Sequence, residues 1–89
     1  MSEAEVRVGN RLGLHARPAA RFVHAASQFR ARITVARDAM RADGKSILGL
    51  LSLAAPCGAL LRMTADGEDE REALAHLVEL VQQGLGEEA

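Results

Sequence analysis

Apolar and polar residues alternate in four short stretches of the chain. Apolar residues at 4, 6 and 8 alternate with charged ones, the period-two pattern of a half-buried strand. The same pattern predicts a second strand around Ile33 and Val35, a short third strand near Met40–Ala42, and a fourth over 60–65. Turn-forming residues such as Asp43-Gly44 separate these stretches.

Between the predicted strands, the sequence shows features that are typical of helices. From Ala16 to about Phe29, apolar residues recur every three or four positions, which predicts an amphipathic helix. Ser46 is placed as the N-cap of a short helix over Ile47–Leu53. A third helix follows Asp69, which with Glu72 resembles a capping box, and ends near Gly84.

The resulting order of elements is βαββαβα. Because the strands alternate, one face of the sheet is polar, and helices are expected to cover only the other face. The sequence therefore predicts an α+β, two-layer fold built as a single domain over residues 1–89.

The composition of the chain argues against several classes of function and location. The net charge is −1 and only two residues are aromatic, which argues against a general nucleic-acid binder. The charge is uneven: residues 1–45 carry nine Lys or Arg against four Asp or Glu, whereas residues 46–89 carry two against eight. Cys57 is alone, so no intrachain disulfide is expected. The start does not resemble a signal peptide, and the apolar stretch 47–61 is too short to span a bilayer, so a cytoplasmic location without membrane insertion is expected.

The segment 13–19, Gly-Leu-His-Ala-Arg-Pro-Ala, carries the candidate chemistry. Pro18 fits a first helical turn, which places His15 at or near the N-cap. The helix dipole there favours a neutral imidazole, which is a nucleophile, and the free amides with Arg17 form a site for an anion such as phosphate. These residues predict a histidine that accepts and passes on a phosphoryl group. The alternative is a histidine that only caps the helix.

Three segments of the chain resemble the HPr family of histidine-containing phosphocarriers of the bacterial sugar phosphotransferase system. They are the segment 13–19, the segment Lys45-Ser46-Ile47-Leu48-Gly49-Leu50-Leu51, and the region from Ala65 through the last helix. The resemblance covers residues 4–85. It implies an open-faced β-sandwich with a four-stranded antiparallel sheet and helices on one face.

The resemblance also implies roles for individual residues. His15 would take a phosphoryl group on Nδ1 from enzyme I and pass it to IIA domains of sugar permeases, while Arg17 orients the phosphate. The protein would be a stoichiometric carrier rather than an enzyme, and we expect a monomer. No cofactor is implied, and no metal site is expected because His24 and His76 lack suitably spaced ligands.

A regulatory site and a docking surface are implied in the same way. In some relatives the serine corresponding to Ser46 is phosphorylated by a dedicated kinase. Without the resemblance, the local sequence predicts only that Ser46 is a helix N-cap. The implied docking surface for enzyme I and IIA domains consists of Ala16, Ala20, Arg21, Ile47, Leu48 and Leu51. The alternative for the last three is that they belong to the core.

Two further hypotheses remain open from the sequence. One is an HPr-like regulatory binding protein switched by phosphorylation at His15 or Ser46. The other is a small α+β domain that binds a ligand or RNA, which would call for a basic sheet face with aromatics. The turn at Asp38-Ala39-Met40 departs from the Asn-Gly-Lys of many relatives, and the tail 86–89 receives no role.

Overall fold

A computed structural model describes residues 1–87 and gives four strands and three helices in the order βαββαβα. The strands are β1 (Ser2–Arg7), β2 (Arg32–Arg37), β3 (Met40–Asp43) and β4 (Leu60–Asp66). The helices are α1 (Ala16–Ala26), α2 (Ile47–Ser52) and α3 (Glu70–Gln82). The sheet order is β1-β4-β2-β3 with every neighbouring pair antiparallel, which confirms the expected open-faced α+β fold.

One face of the sheet is apolar and buried. In β4, Leu61, Met63 and Ala65 are buried and alternate with residues that are exposed or half-buried. The register extends this face across the sheet, because Val6 lies opposite Leu61 and Val35 lies opposite Met63. The alternating pattern in the sequence therefore predicted correctly which side chains form the core.

The long helices bury their apolar faces in the same core. The buried residues of α1 are Pro18, Ala19, Phe22, Ala25 and Ala26. Those of α3 are Ala73, Leu74, Leu77 and Val81. The α3 helix packs on β1 and β4, while α1 packs against α2 and α3, so the second layer is continuous.

The first helix ends earlier than its apolar spacing predicts. The spacing favours a helix to about Phe29, but α1 ends at Ala26 and turns follow. The two carboxylate oxygens of Asp69 accept hydrogen bonds from the backbone amides of Arg30 and Ala31, each at 2.8 Å. These long-range bonds hold the chain where it enters β2 after the helix, which a local pattern does not reveal.

The predicted capping box at the start of α3 is wrong. Asp69 occupies the N-cap position but makes no cap hydrogen bond, because its carboxylate binds the amides that precede β2. The hydrogen bond from the backbone amide of Arg30 is the main cause that lowers the pKa of Asp69. Glu70 contacts the preceding turn instead, where its carboxylate accepts from the amide of Gly67 at 3.2 Å.

Candidate functional site

The loop between β1 and α1 holds the start of the helix in place. Gly13 has a φ of +74°, and a Cβ there would lie 2.5 Å from the carbonyl oxygen of Ala55, so glycine is required on both counts. The amide of Leu14 donates to that same carbonyl at 2.8 Å. The buried Asn10 donates from Nδ2 to the carbonyl of Gly13. The loop therefore fixes where the next residue, His15, lies.

His15 is the N-cap residue of α1, as predicted. Its carbonyl accepts the first helical hydrogen bond from Ala19 at 2.9 Å, but its ring makes no cap hydrogen bond. The amides of Ala16 and Arg17 have no partner among residues 1–87, and Pro18 has no N–H to offer. The ring therefore does not act as a simple helix cap, and two free amides beside it form a place for an anion.

A carboxylate from the C-terminal tail contacts the histidine ring. Oε1 of Glu87 lies 2.5 Å from Nε2 of His15. The side chain of His15 is 41% exposed and that of Glu87 only 14%. No role was expected for the tail 86–89, so this contact was not predicted; residues 88 and 89 lie outside the described residues. A leucine between two glycines, at 84–86, is the one local sign that the chain turns back here.

Two arginines follow the histidine on α1. Arg17 is exposed, and its guanidinium makes no hydrogen bond or ion pair with residues 1–87. Arg21, one turn further, donates from Nη1 to the carbonyl of Leu85 at 2.9 Å. Both line an open groove between α1 and α3, together with His24, His76, Leu80 and Gly86. Among the described residues, the guanidinium of Arg17 is therefore open to a ligand, whereas that of Arg21 binds the tail.

Ser46 caps α2. Its hydroxyl oxygen accepts from the amide of Gly49 at 3.0 Å, and the side chain is half-buried. The cap role is therefore confirmed. The α2 helix ends at Ser52, one residue before the predicted end, with the buried Leu53 as its C-cap.

The residues of the implied docking surface differ in exposure. Leu48 is 80% exposed and Ile47 40%, and Leu50 is instead the leucine of α2 that enters the core. Leu51 is half-buried and packs against the core, so the alternative that all three are core residues is wrong for Ile47 and Leu48. On α1, Ala16, Ala20 and Arg21 are exposed. We call the pair Ile47 and Leu48 the α2 patch.

Other candidate chemistry finds little support in the part of the chain that the structure describes. Within residues 1–87, no group of three or more His, Cys, Asp or Glu residues is arranged to hold a metal ion. The same range contains no helix with the length and apolarity needed to cross a bilayer. Phe22 is buried and the ring of Phe29 lies beside His76, so neither phenylalanine forms an RNA-stacking platform on the open sheet face.

The chain matches known proteins over almost its whole length. Residues 2–83 match the family model described as the PTS HPr component phosphorylation site. The phosphocarrier protein HPr of Treponema pallidum is 47% identical over 83 residues, covering 93% of this chain and 94% of that protein. A crystal structure of HPr-C-His from Thermoanaerobacter tengcongensis superimposes with a TM-score of 0.94 at 43% identity and full coverage of both chains. The chain therefore belongs to the HPr family, the phosphocarriers of the phosphotransferase system.

A regulatory relative and a dimeric structure are also similar to this chain. The HPr-like protein Crh of Bacillus subtilis is 42% identical over 83 residues, covering 93% of this chain and 98% of that protein. A crystal structure of an HPr dimer from Thermoanaerobacter tengcongensis matches with a TM-score of 0.77 and 42% identity, covering 98% of this chain and 100% of that one. The likeness to Crh bears on the regulatory hypothesis, and the likeness to the dimer bears on the expected monomer.

Proposed function

We propose that His15 accepts a phosphoryl group from phosphorylated enzyme I and passes it to IIA domains of sugar permeases. The observation that carries this proposal is the position of the His15 ring. The ring stands at the start of α1 and makes no cap bond, beside two amides that have no partner among residues 1–87. Membership of the HPr family supports the same residue, because His15 lies within the matched range.

The chemistry needs only a lone pair and an anion site. A ring nitrogen of His15 attacks phosphorus, the N–P bond forms, and the donor keeps the electron pair of the bond that breaks. The amides of Ala16 and Arg17 offer hydrogen bonds to the phosphoryl oxygens. The exposed guanidinium of Arg17 adds a permanent charge with a planar pair of donors. Transfer to the acceptor reverses these steps.

The α2 patch is proposed as part of the surface on which enzyme I and the IIA domains dock. Its leucine and isoleucine are exposed on a helix that packs against α1, so they lie on the layer that carries His15. Exposed apolar side chains next to a functional site are typical of surfaces that a partner protein covers. Ala16, Ala20 and Arg21 would extend the surface along α1.

The carrier is proposed to act stoichiometrically, as a monomer and a single domain in the cytoplasm. One continuous core supports the single domain. The similar dimeric structure makes the monomer a point to test, by sedimentation at the concentration used for phosphotransfer. No cofactor enters the proposed reaction.

Regulation at Ser46 is the second candidate function. The hydroxyl lies at the N-terminus of α2, next to the α2 patch, and a phosphate there would be attracted by the helix amides. The likeness to Crh, described as a catabolite repression protein, supports a regulatory use of this fold. A serine kinase would supply the phosphate, and the signal would be a change in docking at the neighbouring patch.

Labelled phosphoenolpyruvate tests the principal function. The protein is mixed with enzyme I, magnesium and the labelled donor, and the label is expected to be labile in acid and stable in base. His15→Ala should fold, since its exposed ring makes no cap bond, but should carry no label. His24→Ala and His76→Ala serve as matched controls and should take label normally. Label retained by His15→Ala would refute the assignment.

A further inference from the structure

The tail after α3 is a folded segment and not a loose end. Gly84, Leu85 and Gly86 all have positive φ, at +82°, +54° and +78°, and these turn the chain back towards α1. A positive φ is unfavourable for leucine because of its Cβ. Leu85 is only 1% exposed, so its burial in the core stabilises this conformation. The amide of Leu85 donates to Leu80 at 2.9 Å, and that of Glu87 donates to Gly84 at 3.0 Å.

A side chain of α1 ties this segment to the phosphoryl site. Arg21 donates to the carbonyl of Leu85 at 2.9 Å, two residues before Glu87. The carboxylate of Glu87 is 14% exposed and lies 2.5 Å from Nε2 of His15. The contact is thus supported by a buried leucine, turn hydrogen bonds and an arginine. Glu87 lies beyond the range matched by the family model, which ends at residue 83.

The contact determines which nitrogen of His15 is free. An ionised carboxylate only accepts hydrogen bonds, so Nε2 must carry the proton. A neutral imidazole has one N–H, and its lone pair is then on Nδ1. We propose that Glu87 is a positioning residue, which holds His15 in the tautomer with the nucleophilic lone pair on Nδ1. The consequence for transfer rests on the proposed carrier function, whereas the consequence for the tautomer does not.

The same carboxylate serves the phosphorylated state. When Nδ1 bonds to phosphorus, Nε2 keeps its proton and the ring becomes cationic, with no proton released. The negative charge of Glu87 lies against that cation through the same hydrogen bond. When the phosphoryl group leaves, the N–P electron pair returns to Nδ1 and the ring is neutral again. Glu87 neither gains nor loses a proton in the cycle.

Nitrogen-15 NMR of the histidine ring tests the tautomer directly, without any partner protein. In the neutral ring of the wild type, the Nε2–H form of His15 should dominate. Glu87→Ala should lower the ratio of Nε2–H to Nδ1–H by about tenfold, the scale of one charge-assisted hydrogen bond. Glu87→Gln keeps an acceptor oxygen and should fall between the two. The same ratio in wild type and Glu87→Ala would overturn the proposal.

A matched control removes an equal charge elsewhere. Glu72 is exposed in the first turn of α3, about 15 Å of helix away from the tail, so Glu72→Gln should leave the ratio unchanged. A shift of the same size in Glu72→Gln would mean that general charge, and not the contact, sets the tautomer. That result too would overturn the proposal.

Transfer kinetics with phosphorylated enzyme I supply the second readout. Glu87→Ala should lower kcat about threefold to tenfold with KM little changed, and Glu87→Gln should recover part of the loss. Faster transfer in Glu87→Ala would show that the carboxylate only blocks the ring, which refutes a positioning role. A wild-type protein that takes no label would refute the carrier function alone, since the tautomer ratio still decides the role of Glu87.

Discussion

Leu48 and Leu50 are two residues apart on α2, but their substitution by alanine should destabilise the protein to very different extents. Leu48 is 80% exposed, whereas Leu50 is 1% exposed. Full burial of a leucine side chain is worth roughly 1.5–3 kcal/mol, so the one-fifth that Leu48 buries contributes about 0.3–0.6 kcal/mol. Leu50→Ala should instead cost about 2–5 kcal/mol, because it leaves a cavity in the core. Urea unfolding of the two alanine variants measures this difference.

The exposed four-fifths of Leu48 is available to a docking partner. Covering it would contribute roughly 1.2–2.4 kcal/mol to the complex. Leu48→Glu removes that gain and adds a charge to be desolvated, so KM for transfer from enzyme I should rise about tenfold to fiftyfold. The lability of the histidine phosphate should not change, because the substitution does not alter the ring.

Leu60→Glu is the matched control. Leu60 is 40% exposed and lies on β4, where it alternates with the buried Leu61 and so belongs to the open sheet face. The same change of side chain there should leave KM unaltered. An unchanged KM in Leu48→Glu, or an equal rise in Leu60→Glu, would refute the α2 patch as a docking surface.

Variants at three other residues are expected to behave as follows. Arg17→Lys keeps the charge but loses the planar pair of donors, so transfer should slow about tenfold while the melting temperature stays the same; wild-type rates in both Arg17→Lys and Arg17→Ala would exclude phosphate orientation. Ser46→Ala should cost about 1 kcal/mol through the lost cap. Ser46→Asp should keep the cap and raise KM, whereas equal kinetics would remove the physical basis for regulation there. The hydrogen bond from Ser2 is the first cause that lowers the pKa of Glu70 from 4.5 to about 2. The stability that Glu70 adds is therefore present above pH 4.5 and is lost as the pH falls through about 2, and Glu70→Gln should flatten that part of the curve.

Local patterns predicted most of the elements and the main site residue. Alternation located the buried residues of β4, because a strand in a two-layer fold has one covered face. Pro18 located the start of α1 and so placed His15 at the N-cap, because proline fits the first helical turn without losing a hydrogen bond. Ser46 was recognised as a cap for a similar local reason. Each of these predictions depends on a residue and its near neighbours in the chain.

Contacts between distant parts of the chain required the tertiary structure. The sequence predicted that the Asp69 side chain caps α3, but the tertiary structure brings its carboxylate to the amides of Arg30 and Ala31. Glu87 lies 72 residues after His15 and reaches it only because α3 runs back along α1 and a buried leucine turns the tail. The sequence alone does not reveal which group a carboxylate will bind. Its partner depends on which segments of the chain pack side by side in the folded protein.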